Sequence, residues 1–308
     1  MSYETSHERY LNFVRATMGV HRKRVLEVGG STPPVIVNGY SPSEWISVNL
    51  NASDVATFNE EARTLKGETS PVNGNAYDPP GSYLAVCDDI RNLAQTEHYD
   101  LIYSVNAFEH IHDLEVVFRR MFGALKPGGY LFTLFGPIWS SDVGHHLSVR
   151  TDDKRELHFF DGVLAPWEHL TSSREAIRER LARLYGEKTA QRAVDYIYDF
   201  RDLNRLSEQD YLRIVQGSDF SPVLILRHKV GRAPNLPGAT NTREFLMILK
   251  KGCATHLERA VCFSRFAFAF AGYELRKRLP RRSKGGLLDY PEHGIPSPTP
   301  KWRNSAQQ

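Results

Sequence analysis

YDLIYSVNAFEHIHDLEVVFRRMFGALKPGGYLFTLFGPIWSSDVGHH, residues 99–146, decides how the chain must fold. It opens on YDLIYS, a short apolar run rich in strand formers. Asp113 then stands where a helix can start, as a cap for Leu114, Val117, Phe118, Met121, Phe122 and Leu125 at helical spacing. Lys126-Pro127-Gly128-Gly129 stops that helix, because proline cannot continue it and glycine tolerates the turn. YLFTLF, residues 130–135, reads as a second buried strand. Strand, crossover helix and strand form a right-handed parallel unit. Ligands of such sheets lie beyond the carboxyl ends of the strands. Asn106–His110 and Gly136–His146 therefore flank one crevice.

Working outward, Ser6–Met18 places Tyr10, Phe13, Val14 and Thr17 on one side of a short amphipathic helix. Val25–Gly30 runs as a strand into a glycine turn. Pro33-Pro34 permits a stunted helix after it. Residues 45–50, WISVNL, form the second strand. Residues 54–65 suit a helix, and the rest of 52–82 a surface loop. Tyr83–Cys87 is the third strand.

Downstream, Ser148–Gly217 interrupts the sheet. It carries helical patterns over 174–185, 190–200 and 207–215, the last with a capping-box start at Ser207 and Asp210. Residues 221–230 and 243–250 are the final strands. Residues 254–279 read as a helix, followed by a basic cluster of Arg276, Lys277, Arg278, Arg281, Arg282 and Lys284. The expected division is 1–251 as the main domain with 148–217 as its insertion, 252–284 as an amphipathic and basic helix, and 285–308 as a disordered tail.

The ordered set D-hydrophobic-hydrophobic-x-S, EHI-x-D and LKPGG before a strand resembles class I S-adenosylmethionine (SAM)-dependent methyltransferases, of the broad methyltransferase type 11 kind. The resemblance spans roughly residues 22–251. It implies an α/β, Rossmann-like, seven-stranded and mostly parallel sheet with helices on both faces, plus a helical insertion between strands 5 and 6 that serves as a lid over the acceptor. It also implies a cofactor site. Gly29 and Gly30 would form the SAM loop, where the backbone approaches the ligand without a Cβ in the way. Glu27 would act near the methionine end. Asn49 would stand at the ribose, where the family usually has an acid. Asp89, or else Asp88, would meet the adenine, and Asn106, Glu109 and His110 would floor the crevice. The sequence departs from E-x-G-x-G-x-G, since only Gly29 and Gly30 of the glycines remain.

Methyl transfer needs alignment and often a base. Imidazole titrates nearest neutrality, so His146, His145 and His169 are the catalytic candidates, with His146 preferred over His145. Adjacent histidines point in different directions, so one of that pair at most is the base. The plain alternative is that they are structural. His169 can face His145 or His146, and with Glu168 the three could make a metal site, although the spacing is no metal motif. The expected acceptor is an oxygen or nitrogen of a small molecule or saccharide. Alternatives are a degenerate domain that binds a ligand or partner without catalysis, a metal-assisted methyltransferase, and an oxidoreductase, which would lack its G-x-G-x-x-G turn.

Composition narrows the partners. The 308 residues are 41% hydrophobic, which suits a packed core, and their net charge of +3 offers no general nucleic-acid affinity. Anionic membrane contact through residues 276–284 is the remaining surface expectation. Three scattered cysteines, Cys87, Cys253 and Cys262, suggest no disulfide framework, and the polar start carries no apolar signal core; both point to the cytoplasm.

Overall fold

The computed structural model describes residues 6–30, 32–66 and 82–278. The loop expected around 67–81 and the tail expected beyond 284 lie outside the described residues, as do Arg281, Arg282 and Lys284.

The chain runs α1 (Ser6–Thr17), β1 (Arg24–Val28), α2 (Pro34–Asn38), β2 (Glu44–Asn49), α3 (Ala52–Lys66), β3 (Ser82–Cys87), β4 (Tyr99–Val105), α4 (Leu114–Ala124) and β5 (Leu125–Phe135). The insertion follows as a hairpin, β6 (Ser148–Arg150) and β7 (Glu156–His158), and then α5 (Glu168–Thr171), α6 (Arg174–Tyr185), α7 (Glu187–Asp199) and α8 (Glu208–Gln216). β8 (Phe220–Lys229), β9 (Thr242–Lys251) and α9 (His256–Arg278) complete it.

Seven strands form one sheet in the order β3-β2-β1-β4-β5-β9-β8. β1 to β5 pair in parallel, and β9 enters antiparallel between β5 and β8. The expected fold is thus the observed one. Val28 sits level with Val48 on β2 and Ser104 on β4, so the carboxyl ends of three strands open at one height.

Alternation along the strands divides the core. Ile102 faces α4 and α8 with Phe118, Met121 and Tyr211. Its neighbours Leu101 and Tyr103 face the other layer with Leu11, Val14 and Phe266. The insertion buries a core of its own, around Leu157, Ile177, Leu181, Val194 and Ile197.

Two local expectations are corrected. Asp113 makes no side-chain cap; it sits at φ 51, and its carboxylate pairs with Arg91 at 2.7 Å. The guanidinium outcompetes the helix N–H groups for that acceptor because the bond joins two charges. The insertion is also not purely helical, since β6 and β7 open it. The capping box at Ser207 and Asp210 forms as expected.

Candidate active site

β1 ends in Gly29 and Gly30, which fold back on their neighbours. A Cβ on Gly30 would overlap the Ser47 hydroxyl of β2, and one on Gly29 would overlap Ala107 beyond β4. Gly29 also sits at φ +81, where a side chain is strained. The tight fit of the chain on itself is therefore a second demand for glycine, beside ligand approach.

Glu27 holds this turn closed. It is buried, and its Oε1 accepts from the N–H and hydroxyl of Thr32 at 3.0 and 2.5 Å. Oε2 accepts from Trp45 Nε1 at 3.0 Å and Ser47 Oγ at 2.9 Å. Four donors use the lone-pair capacity of a carboxylate. Glu27 thus shapes the loop from below. Asn49 does similar work: Nδ2 donates to Gly30 O at 2.5 Å, and Oδ1 accepts from Asn51 N at 2.9 Å. An aspartate would face the Gly30 carbonyl with another acceptor, so the amide is what this loop requires.

At the end of β3, Asp89 accepts from Arg91 N at 2.8 Å and pairs with the Arg91 side chain at 2.7 Å. Hydrogen bonding from Arg91 holds its carboxyl below the usual carboxylate range. Asp88 is the more exposed of the two, and bonds Asn92 Nδ2 at 2.8 Å.

The loop after β4 is a seat for the insertion. Asn106 turns at φ 52 and donates to Leu134 O at 2.8 Å. Asn204 N–H donates to Glu109 O at 2.9 Å, while Asn204 Nδ2 reaches Phe108 O at 2.6 Å and Ile111 O at 2.9 Å. His110 Nδ1 donates to Asp202 O at 3.0 Å. Glu109 is 1% exposed, and Oε1 accepts from Gly136 N at 3.2 Å while Oε2 has no protein partner. Burial pushes its pKa up to about 8, so at neutral pH it is mostly an uncharged acid.

The histidines meet beneath the insertion. His145, His146 and His169 are 0%, 8% and 3% exposed. The rings of His145 and His169 lie 5.4 Å apart, and His146 meets His110 at the same distance. The adjacent pair does diverge, each ring to its own neighbour. Backbone carbonyls fix the tautomers, because a carbonyl accepts only from N–H. His146 Nε2 donates to Pro137 O, and His169 Nε2 donates to Trp139 O at 2.8 Å. Each keeps a bare Nδ1. His145 is reversed: its Nδ1 accepts from Leu147 N at 3.1 Å, which puts its proton on Nε2. Its lone pair is already engaged. Burial lowers these pKa values to about 2 for His145, 3 for His146 and 4 for His169. All three are neutral at pH 7.

Glu168 does not join them. Its carboxylate binds Arg180 at 2.8 Å and caps Ala165 N at 2.7 Å. Among the described residues no three His, Cys, Asp or Glu side chains make a group that could hold a metal. Trp139 packs on His169 and Tyr198 within the insertion. Sequence reading did not find Asn204 or His112, because their work is to bond distant backbone, and no local pattern marks that.

The sheet order, the glycine turn at the end of β1 and the EHI loop define a class I SAM-dependent methyltransferase fold. A family model described as a methyltransferase domain matches residues 7–182, more than half of the 308. The chain belongs to that family. A search of curated proteins gives no match. Among solved structures, an S-adenosylmethionine-dependent methyltransferase from Mesorhizobium loti is 14% identical, with TM-score 0.45 and coverage of 79% of this chain and 97% of the other. A SAM-dependent methyltransferase from Methanosarcina mazei gives 11%, 0.46, 78% and 97% in the same order. Geranyl diphosphate C-methyltransferase from Streptomyces coelicolor A3(2), in complex with Mg2+, a geranyl thiolodiphosphate and S-adenosyl-L-homocysteine, gives 11%, 0.47, 80% and 76%. At these levels the acceptors of those enzymes say nothing about this one.

Proposed function

We propose that this protein transfers a methyl group from SAM to an oxygen or nitrogen of a small-molecule or saccharide acceptor. His146 serves as the base, and the insertion over residues 148–217 forms the acceptor's lid. The residues beyond β1 to β4 fit the cofactor. Gly29 is exposed at the mouth, the exposed acid Asp88 would meet the adenine, and Asn49 Oδ1 retains one lone pair for a ribose hydroxyl. Glu27 supports that grip by holding the turn. When bound, SAM supplies a methyl carbon activated by its sulfonium for in-line displacement.

The observation that carries the base assignment is the pairing of His146 with His110. It keeps His146 on the side of the EHI loop, and Pro137 O leaves Nδ1 as its bare nitrogen. His146 Nδ1 would take the acceptor's proton as the new bond forms. His169 has the same tautomer and stands second; His145 would act as a donor through Nε2–H.

Calorimetric titration with SAM and S-adenosylhomocysteine tests the cofactor. Saturable binding is expected, and Gly29→Arg should abolish it. His146→Ala should bind SAM as tightly as the parent and lose about 100-fold or more in transfer to a competent acceptor. Absence of SAM binding would favour the second reading, a ligand-binding domain without catalysis, which the internally satisfied Glu27 and Asn49 support.

A further inference from the structure

α9 carries apolar residues on two opposite faces. One face is used: Cys262 and Phe266 are buried against α1 and the sheet, with Phe266 5.2 Å from Phe13. The other is open. Leu257, Val261 and Phe268 are 73%, 39% and 84% exposed, and Ala260, Ser264, Ala267 and Ala271 fill the positions between them. The spacing of three and four residues puts these side chains on one stripe. Five of the eleven exposed large hydrophobics among the described residues belong to this helix; of these, Phe270 flanks the used face, 6.3 Å from both Phe13 and Phe266. From Ala260 to Ala271 the only charged residue is Arg265.

The charge that follows is one-sided. Arg276, Lys277, Arg278, Arg281, Arg282 and Lys284 are six cations within nine positions, and no acid comes after them until Asp289. At the other end of the helix, the acid Glu258 is already paired with Lys250. Counting Glu274, residues 274–288 hold six cations and one acid, a net +5 that a second copy only repeats and an anionic surface balances.

We propose that α9 and the basic run after it dock this protein on an anionic lipid bilayer. The exposed stripe lies in the interfacial plane, and the cations meet the headgroups. No described helix is long and apolar enough to cross a membrane, so the contact is peripheral.

The full chain should be sedimented with vesicles of phosphatidylcholine containing one third phosphatidylserine, and with vesicles of phosphatidylcholine alone. Binding is expected to the first and not the second, and to weaken as salt is raised. Phe268→Ser lies on an open face and should leave the fold intact; it should weaken vesicle binding about tenfold or more. Each of Arg281→Ser and Arg282→Ser should weaken it about fivefold. No binding to the acidic vesicles overturns the proposal. So does binding that Phe268→Ser leaves unchanged, which would mean attraction of charge alone. A concentration-dependent dimer in sedimentation velocity that Phe268→Ser dissociates, without vesicle affinity, would assign the stripe to a second copy and also overturn it.

Discussion

Gly30 and Ser47 are joined so closely that each limits the other. Gly30→Ala drives a methyl group into the Ser47 hydroxyl, and that hydroxyl is a donor to Glu27. We expect this variant to lose about 1–3 kcal/mol of stability, and Ser47→Gly to restore part of it; denaturant titration of the two singles and the double variant measures the coupling. Glu27→Gln should cost a similar 1–3 kcal/mol, because its amide N–H groups would face donors in a buried site. Differential scanning calorimetry checks this, and weaker SAM binding should accompany it. The sequence marked both positions through the strand-to-glycine pattern. It could not show that Glu27 spends its oxygens on Thr32, Trp45 and Ser47, since those partners come from two other segments. Nor could it show that His145 and His146 take opposite tautomers, which is decided by Leu147 N–H and Pro137 O.

The insertion is an element with a core of its own, and its return segment is fastened to the loop after β4. Asn204 is the fastener, with one backbone and two side-chain hydrogen bonds to residues 108–111. Asn204→Ala removes those two side-chain bonds, leaving two carbonyls without that donor, and also the two that Oδ1 accepts from Leu206 N and the Tyr211 hydroxyl. The expected cost is about 1–3 kcal/mol, with faster amide hydrogen exchange concentrated in residues 200–206 and 108–112. Unchanged exchange there would mean that the segment is held by packing alone. α6, α7 and α8 were legible from their periodicity, and the capping box fixed the start of α8. The hairpin β6–β7 was not: its strands are three residues each, too short for alternation to register.

Across the whole molecule, buried titratable groups set the pH range of stability, and two sets oppose each other. His145, His146 and His169 have folded pKa values of about 2, 3 and 4, below the 6.5 of an unfolded histidine. The unfolded chain then binds more protons as pH falls, so their contribution is full above pH 6.5 and lost progressively below it. By pH 5 each costs about 2 kcal/mol. Glu109 runs the other way, with a folded value of about 8 against 4.5 unfolded. Its stability is full below pH 4.5 and lost as pH rises to 8. Thermal unfolding followed from pH 7 to pH 5 should show a falling midpoint. Glu109→Gln should stabilise the fold at pH 9 by on the order of a few kcal/mol, seen as a raised midpoint, and leave the midpoint nearly unchanged at pH 4.5. The fold class, the strand order and the antiparallel end were readable because each strand is a short apolar run bounded by turn residues. The burial of the histidines was not, because it depends on how the insertion folds over a loop far from it in sequence.

The antiparallel entry of β9 has a consequence for how the protein is made. β5 leaves the ribosome with one side already able to pair with β4, but the strand that covers its other side is translated roughly a hundred residues later, after the entire insertion. At about 5–20 residues per second this leaves the apolar edge of Leu131–Phe135 bare for roughly 5–20 seconds in each nascent chain. Throughout that interval the growing polypeptide offers a sticky border to chaperones and to neighbouring nascent chains.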